Sequence, residues 1–353
     1  MKPLDIPHQR LRNQHLTGPG LKHPAEVVSW LVAVQAQDYA GAKWALGLRM
    51  RRAVDQTVEQ AFAAGTILRT HLMRPTWHFV SPADIRWLLA LTARRVHLSN
   101  AFQYRKLELD RAVLRRSAAA LEQALQGGHQ LTREQLRGVL EQAGVHTRGP
   151  LRLGYILMYA ELEGIVCSGP RRGKQFTYSL LEERVPPARA LLREEALAEL
   201  ARRYFMGHGP ATLRDLAKWS GLTIADARRG LEAVRGQLEQ ESAGGQTFWF
   251  AGSARPRKGG SPHVLLLPNY DEYTIGYRDH SAVFDLSGRY DLVYGHVLVI
   301  DGRVAGTWRR ILKKSEVVIE TNTFAPLTQT ESRTVAEAAD RYGAFLGLPV
   351  VMT

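Results

Sequence analysis

The chain has 353 residues, with 47 Lys and Arg against 34 Asp and Glu and a formal charge of +13. That length exceeds the reach of one hydrophobic core, so two to four domains are expected, and 45% apolar residues exclude a disordered chain. The positive surplus points to a polyanionic partner, because neutralising phosphates releases condensed counterions, although a GC-rich genome enriches Arg as well.

In chain order, residues 1–110 read as a first unit of helices and a hairpin. Asn13–Leu16 falls in a first helix, and Pro24–Gln37 forms a second with Val27, Trp30, Leu31 and Val34 on one face. Asp55–Ala64 is a third, closed by Gly65. Two extended runs follow, Ile67–His71 and Thr76–Val80, around a turn at Met73-Arg74-Pro75, and another helix opens after Ser81-Pro82.

Residues 111–185 form a second unit. Thr132 caps a helix over Leu136–Ala143, and Leu153–Glu163 is a helix ended by Gly164. Strands Ile165–Ser168 and Gln175–Leu180 are joined by the basic turn Gly169-Pro170-Arg171-Arg172-Gly173-Lys174, the order of a recognition helix and its wing. After Pro186-Pro187 a third unit occupies 186–255, with helices Thr212–Trp219 and Thr223–Val234 around Gly221 and a strand at Gln246–Phe250. Beyond the basic loop 255–260 the composition turns strand-like: His263–Leu267, Tyr294–Ile300, Arg303–Trp308 and Glu316–Thr321, with a hairpin signal at Asp301-Gly302 and a closing helix at Thr334–Leu346. The expected fold is α+β: three tandem winged-helix units followed by a mainly β C-terminal domain at 256–353.

The single cysteine, Cys167, excludes an internal disulfide and suits a reducing compartment. With no apolar leader and no run of transmembrane length, a cytoplasmic protein without membrane attachment is expected. No P-loop, dinucleotide fingerprint, metal-binding spacing or serine elbow occurs, so neither metal nor cofactor is expected. His71 and His78 lie in adjacent strands, but no third ligand accompanies them.

Two constellations remain. Gln35-Ala36-Gln37-Asp38 places amides beside an apolar helix face, where residues two apart diverge unless the helix ends or bends. These amides either converge on a ligand or simply close the helix. The run 70–79 carries His71, Arg74, Trp77 and His78 on one hairpin, a surface for phosphate contact and base stacking or one packed on its own domain.

Together with Leu267-Pro268-Asn269-Tyr270-Asp271-Glu272-Tyr273 and Gly276-Tyr277-Arg278-Asp279, these motifs resemble the AlkZ/YcaQ-type bacterial DNA glycosylases, from about Leu11 to Leu346. The resemblance implies a monofunctional enzyme that removes cationic N7-alkylated purines from double-stranded DNA and unhooks interstrand cross-links in some members; three units and a β domain in one chain suit a monomer wrapping the duplex. It places the catalytic motif on Gln35 and Gln37, which position the attacking water. In the family's other branch an Asp stands at the position of Gln37. DNA contacts are expected at His71, Arg74, Trp77 and His78, at Arg171, Arg172 and Lys174 in the second wing, and at Arg278, Arg309 and Arg310. Tyr270, Asp271 and Glu272 fit the family motif with a role that is structural or functional. The rival reading is a winged-helix transcription regulator without catalysis, although such proteins commonly carry one unit per chain and dimerise on a palindrome.

Overall fold

The computed structural model describes residues 4–252, 262–284 and 290–353 and shows a mixed helix and strand architecture. The basic loop at 255–260 and the expected boundary beside it lie outside these residues. The N-terminal part contains α1 (Ile6–Asn13), α2 (Pro24–Leu31), β1 (Ala33–Gln35), α3 (Tyr39–Leu48), α4 (Asp55–Ala64), β2 (Leu68–Leu72), β3 (Arg74–Val80) and the long α5 (Ile85–Lys106). β3 lies in the middle of a three-stranded antiparallel sheet, with Gln35 opposite His78 and His71 opposite Trp77.

Two expectations fail here. The first helix ends at Asn13 instead of covering 13–16, and the second stops at Leu31 instead of running to Gln37. The apolar period does continue through Val34, but Val32 turns to φ 70° and the chain leaves the helix for β1. Left-handed backbone is costly for a β-branched residue, so the surrounding packing must hold it there. Val32 is fully buried, and the β1–β3 pairing supplies that packing.

A second set comprises α6 (Arg111–Leu125), β4 (Leu131–Thr132), α7 (Arg133–Gln142), α8 (Arg152–Leu162), β5 (Val166–Ser168), β6 (Thr177–Leu180) and a short α9 (Leu181–Arg184). Thr132 and Gln135 form a reciprocal capping box at the start of α7. Leu121, Leu136, Leu140, Ile156 and Val166 build this set its own small core. Cys167 is buried beside it, and burial pushes its thiol up to about 12, which leaves it unreactive.

The third set runs through α10 (Arg193–His208), α11 (Leu213–Ser220), α12 (Ile224–Val234), β7 (Glu239–Ala243) and β8 (Gln246–Phe250). β7 escaped the sequence reading because Glu239, Gln240, Glu241 and Ser242 give it no apolar alternation, and only pairing with β8 makes it a strand. Its helices share a core with β2, β3 and α5, through residues such as Leu72, Leu88, Leu197, Tyr204 and Trp219.

The last part holds β9 (Val264–Leu267), a single turn α13 (Glu272–Ile275), β10 (Val297–Ile300), β11 (Arg303–Leu312), β12 (Val317–Thr323), α14 (Gln329–Leu346) and β13 (Val350–Met352). The sheet order is β13-β12-β11-β10-β9, with Asp301 and Gly302 both at positive φ in the β10–β11 turn, as a two-residue hairpin requires. This sheet does not own a separate core. The Trp44 indole donates to the Leu266 carbonyl at 2.7 Å and packs on Tyr342 and Phe345, so α3 is shared between the N-terminal helices and the C-terminal sheet. That sharing brings the motif at 270–277 against the segment that carries the two glutamines.

Candidate active site and DNA-contacting residues

β1 places the glutamines differently from a helix end. β1 ends at Gln35 and Gln37 stands in the bend before α3, so the divergence expected of two residues on a helix does not arise. The Ala36 N–H donates to the Trp77 carbonyl at 2.7 Å, which continues the ladder one step beyond Gln35. Asp38 then caps α3, its carboxylate accepting from the Ala40 N–H at 3.1 Å. Gln35 is buried at 9% exposure and Ala36 is fully buried, whereas Gln37 is exposed.

Each amide has a partner that orients it. Arg74 Nη2 donates to Gln35 Oε1 at 3.0 Å, and a guanidinium has only donors, so the amide oxygen must face it and the NH2 faces away. Arg74 also donates to the Trp219 carbonyl through Nη1 and to His78 Nε2 at 3.2 Å. Accepting that bond obliges His78 to carry its proton on Nδ1, which lies 3.0 Å from the Thr76 carbonyl. Burial and the Arg74 charge hold His78 down at about 3, so it is neutral and an acceptor at physiological pH. Gln37 Oε1 lies 3.4 Å from the Trp77 N–H, a long contact that leaves the carbonyl able to accept from another donor.

Behind β1 sits a carboxylate that the sequence reading left without a role. Glu272 is fully buried and accepts from the Gln35 N–H at 2.9 Å and the Trp219 indole at 2.8 Å, with His208 Nε2 at 3.3 Å. Burial alone raises its pKa, but the bond and charge of His208, Arg74 and the Gln35 N–H outweigh that and bring it down to about 2. Its neighbour Asp271 accepts two bonds from Arg49, at 2.8 and 2.9 Å, in a pair at most 1% exposed. Arg49 also reaches Gln14 Oε1 at 2.7 Å, and Gln14 Nε2 donates to the Tyr277 hydroxyl at 2.9 Å. Gln14, Arg49, Trp219 and Glu272 were all missing from the expected site; of these only Glu272 stood in a recognised motif.

The hairpin residues divide by burial. His71 is buried, bonded through Nδ1 to Glu161 and packed 4.2 Å from Trp77. His78 is fully buried and Arg74 is part-buried, so both support the glutamines from the inside. Trp77 is half-buried, with the Arg69 guanidinium 4.3 Å from its ring centre. In the second basic turn Arg171 is tied to Glu59 at 3.2 Å and lies over Tyr39 and Phe176, while Arg172 and Lys174 are exposed. Arg278 is exposed at a groove shared with Arg214, Arg228, Arg235 and Arg303. Arg309 is exposed and paired with Glu320, and Arg310 lies 3.6 Å from Asp38, the residue after Gln37. Among the described residues no group of three His, Cys, Asp or Glu side chains is placed to hold a metal, and no helix is long and apolar enough to cross a membrane.

A family model described as DNA glycosylase AlkZ-like matches residues 28–345. The chain is similar to an interstrand DNA cross-link repair glycosylase of Streptomyces sahachiroi, 26% identical over 349 residues that cover 91% of this chain and 90% of that protein. It also superposes on the solved structure of Streptomyces sahachiroi DNA glycosylase AlkZ with a TM-score of 0.80 at 21% identity, covering 100% of both chains.

Proposed function

The chain belongs to the AlkZ-like DNA glycosylase family, and from that premise we propose that it hydrolyses the glycosidic bond of cationic N7-alkylated purines in duplex DNA, with cross-links formed at N7 within its range. The observation that carries this reading is the pairing of a buried, Arg74-oriented Gln35 with an exposed Gln37 whose carbonyl can accept from a water. An N7-alkylated base already bears positive charge. When its bond to C1′ breaks, the electron pair neutralises the base and an oxocarbenium-like sugar is left. A water held by Gln37 Oε1 and the Gln35 NH2 adds to C1′ and gives its proton to solvent, leaving an abasic site. Neutral amides suffice because the leaving base needs no protonation, and fixed dipoles stabilise the developing charge without reorganising.

We read the three helix-and-sheet sets as winged-helix units in residues 1–110, 111–185 and 186–255, acting as a cytoplasmic monomer along the duplex. Trp77, Arg172, Lys174, Arg278, Arg309 and Arg310 are the groups offered to DNA, with Arg74 and His78 supporting the glutamines, His71 packing on Trp77 and Arg171 bracing the second wing. The test is incubation with duplex carrying one N7-methylguanine, followed by alkali to reveal abasic sites. Release of the base supports the reading, and binding without release returns the protein to a regulator's role.

Two further outcomes follow from the same geometry. Neither glutamine titrates and His78 stays neutral down to about 3, so the single-turnover rate is expected to be flat between pH 5 and 7. A carboxylate base would instead impose an acid limb, and observing one would exclude the amide mechanism. If the five basic groups named above reach phosphate, the logarithm of the binding constant falls with the logarithm of salt at a slope of about −4.5. A flat salt response in a binding titration contradicts the phosphate contacts.

A further inference from the structure

We infer that Glu272 is a positioning residue for the glutamine pair, holding β1 through the Gln35 N–H and supplying the negative charge that balances Arg74 beside the reacting sugar. The inference rests on the glycosylase reading above and adds to it a group that touches neither base nor sugar. β1 is an edge strand, so alternate N–H groups point away from its sheet. The Ala36 N–H points inward to Trp77, and the Gln35 N–H points outward to Glu272. One carboxylate oxygen thus does for β1 what a fourth strand would do. The other oxygen takes the Trp219 indole N–H and faces His208, which ties the same strand to α10 and α11.

The charge matters as much as the bond. Arg74 places a full positive charge on the carbonyl of Gln35, close to where a cationic base and an oxocarbenium-like sugar must be accommodated. A cation there opposes the reaction unless an anion lies close by. Asp271 is taken up by Arg49 and Asp38 by its cap and Arg310, whereas Glu272 and Arg74 bond the same two residues, Gln35 and Trp219, which sets this carboxylate near the guanidinium. A buried carboxylate in low-dielectric surroundings acts over several ångströms more strongly than the same group in water.

The test uses the full chain with duplex DNA carrying N7-methylguanine. Glu272→Gln keeps an acceptor for the Gln35 N–H and removes the charge: excision is expected to slow at least tenfold, duplex affinity to change less than threefold, and Gln35 amide hydrogen exchange to stay protected. Glu272→Asp keeps the charge on a shorter arm: the Gln35 amide is expected to exchange faster and the rate to fall. A wild-type rate in Glu272→Gln overturns the proposal. If Glu272→Gln does not fold, wild-type exchange and rate in Glu272→Asp overturn it. Should the wild type release no base, the glycosylase reading fails by itself, and the exchange data still decide whether Glu272 holds β1.

Discussion

Gln37→Ala is expected to slow excision of N7-methylguanine by about 10²–10³-fold, the usual cost of removing one preorganised dipole from a transition state. Gln37 is exposed and its side chain's hydrogen bond is a long one from the Trp77 N–H, so the fold loses almost nothing when it is truncated. Melting temperature and duplex affinity should therefore match the wild type, which separates chemistry from stability. Gln35→Ala is a less clean experiment. It removes the acceptor from Arg74 and leaves a part-buried guanidinium short of a partner, so stability falls along with rate. Comparing single-turnover rates of the two variants with their urea midpoints distinguishes these contributions.

Arg49→Met is the substitution with the largest expected effect on stability, about 3–5 kcal/mol, because it strands a buried carboxylate. Asp271 is fully buried, and its oxygens are spent on Arg49 and on the Tyr273 N–H at the start of α13. Without the guanidinium that turn loses its anchor to Gln14 and α3, and Glu272 follows it. The matching surface change, Arg309→Met, breaks an exposed pair with Glu320 and should leave the urea midpoint unchanged. Equal midpoints for Arg49→Met and the wild type would show that the Arg49–Asp271 clamp is not what joins the C-terminal motif to the N-terminal helices.

The elements legible in the sequence were those with local punctuation. Thr132 with Gln135 marked α7, Thr212 and Thr223 marked α11 and α12 on either side of Gly221, and Asp301-Gly302 marked the β10–β11 hairpin. The glutamine segment was misread as helix because its apolar period runs straight through the true end. What ends α2 is not local: it is the pairing of Gln35 with His78 and the bond to Glu272, 237 residues away. The glutamine pair itself was visible in the sequence, and its chemical meaning came from the family resemblance. Its supports were hidden because they are pairs far apart in the chain, Arg49 with Asp271 and Trp219 with Glu272. The hairpin is buried by different packing: α8 brings Glu161 to His71 and α11 brings the Trp219 carbonyl to Arg74 beside His78, so both histidines look like surface groups in the sequence alone.

On the proposed mechanism, two neutral amides suffice because the leaving base is already a cation. A time course of the wild type in EDTA, on matched duplexes carrying N7-methylguanine or hypoxanthine, with and without alkali, tests it most directly. Abasic sites are expected from N7-methylguanine alone, with strand breaks only after alkali. Comparable release of hypoxanthine, or nicking without alkali, would contradict it.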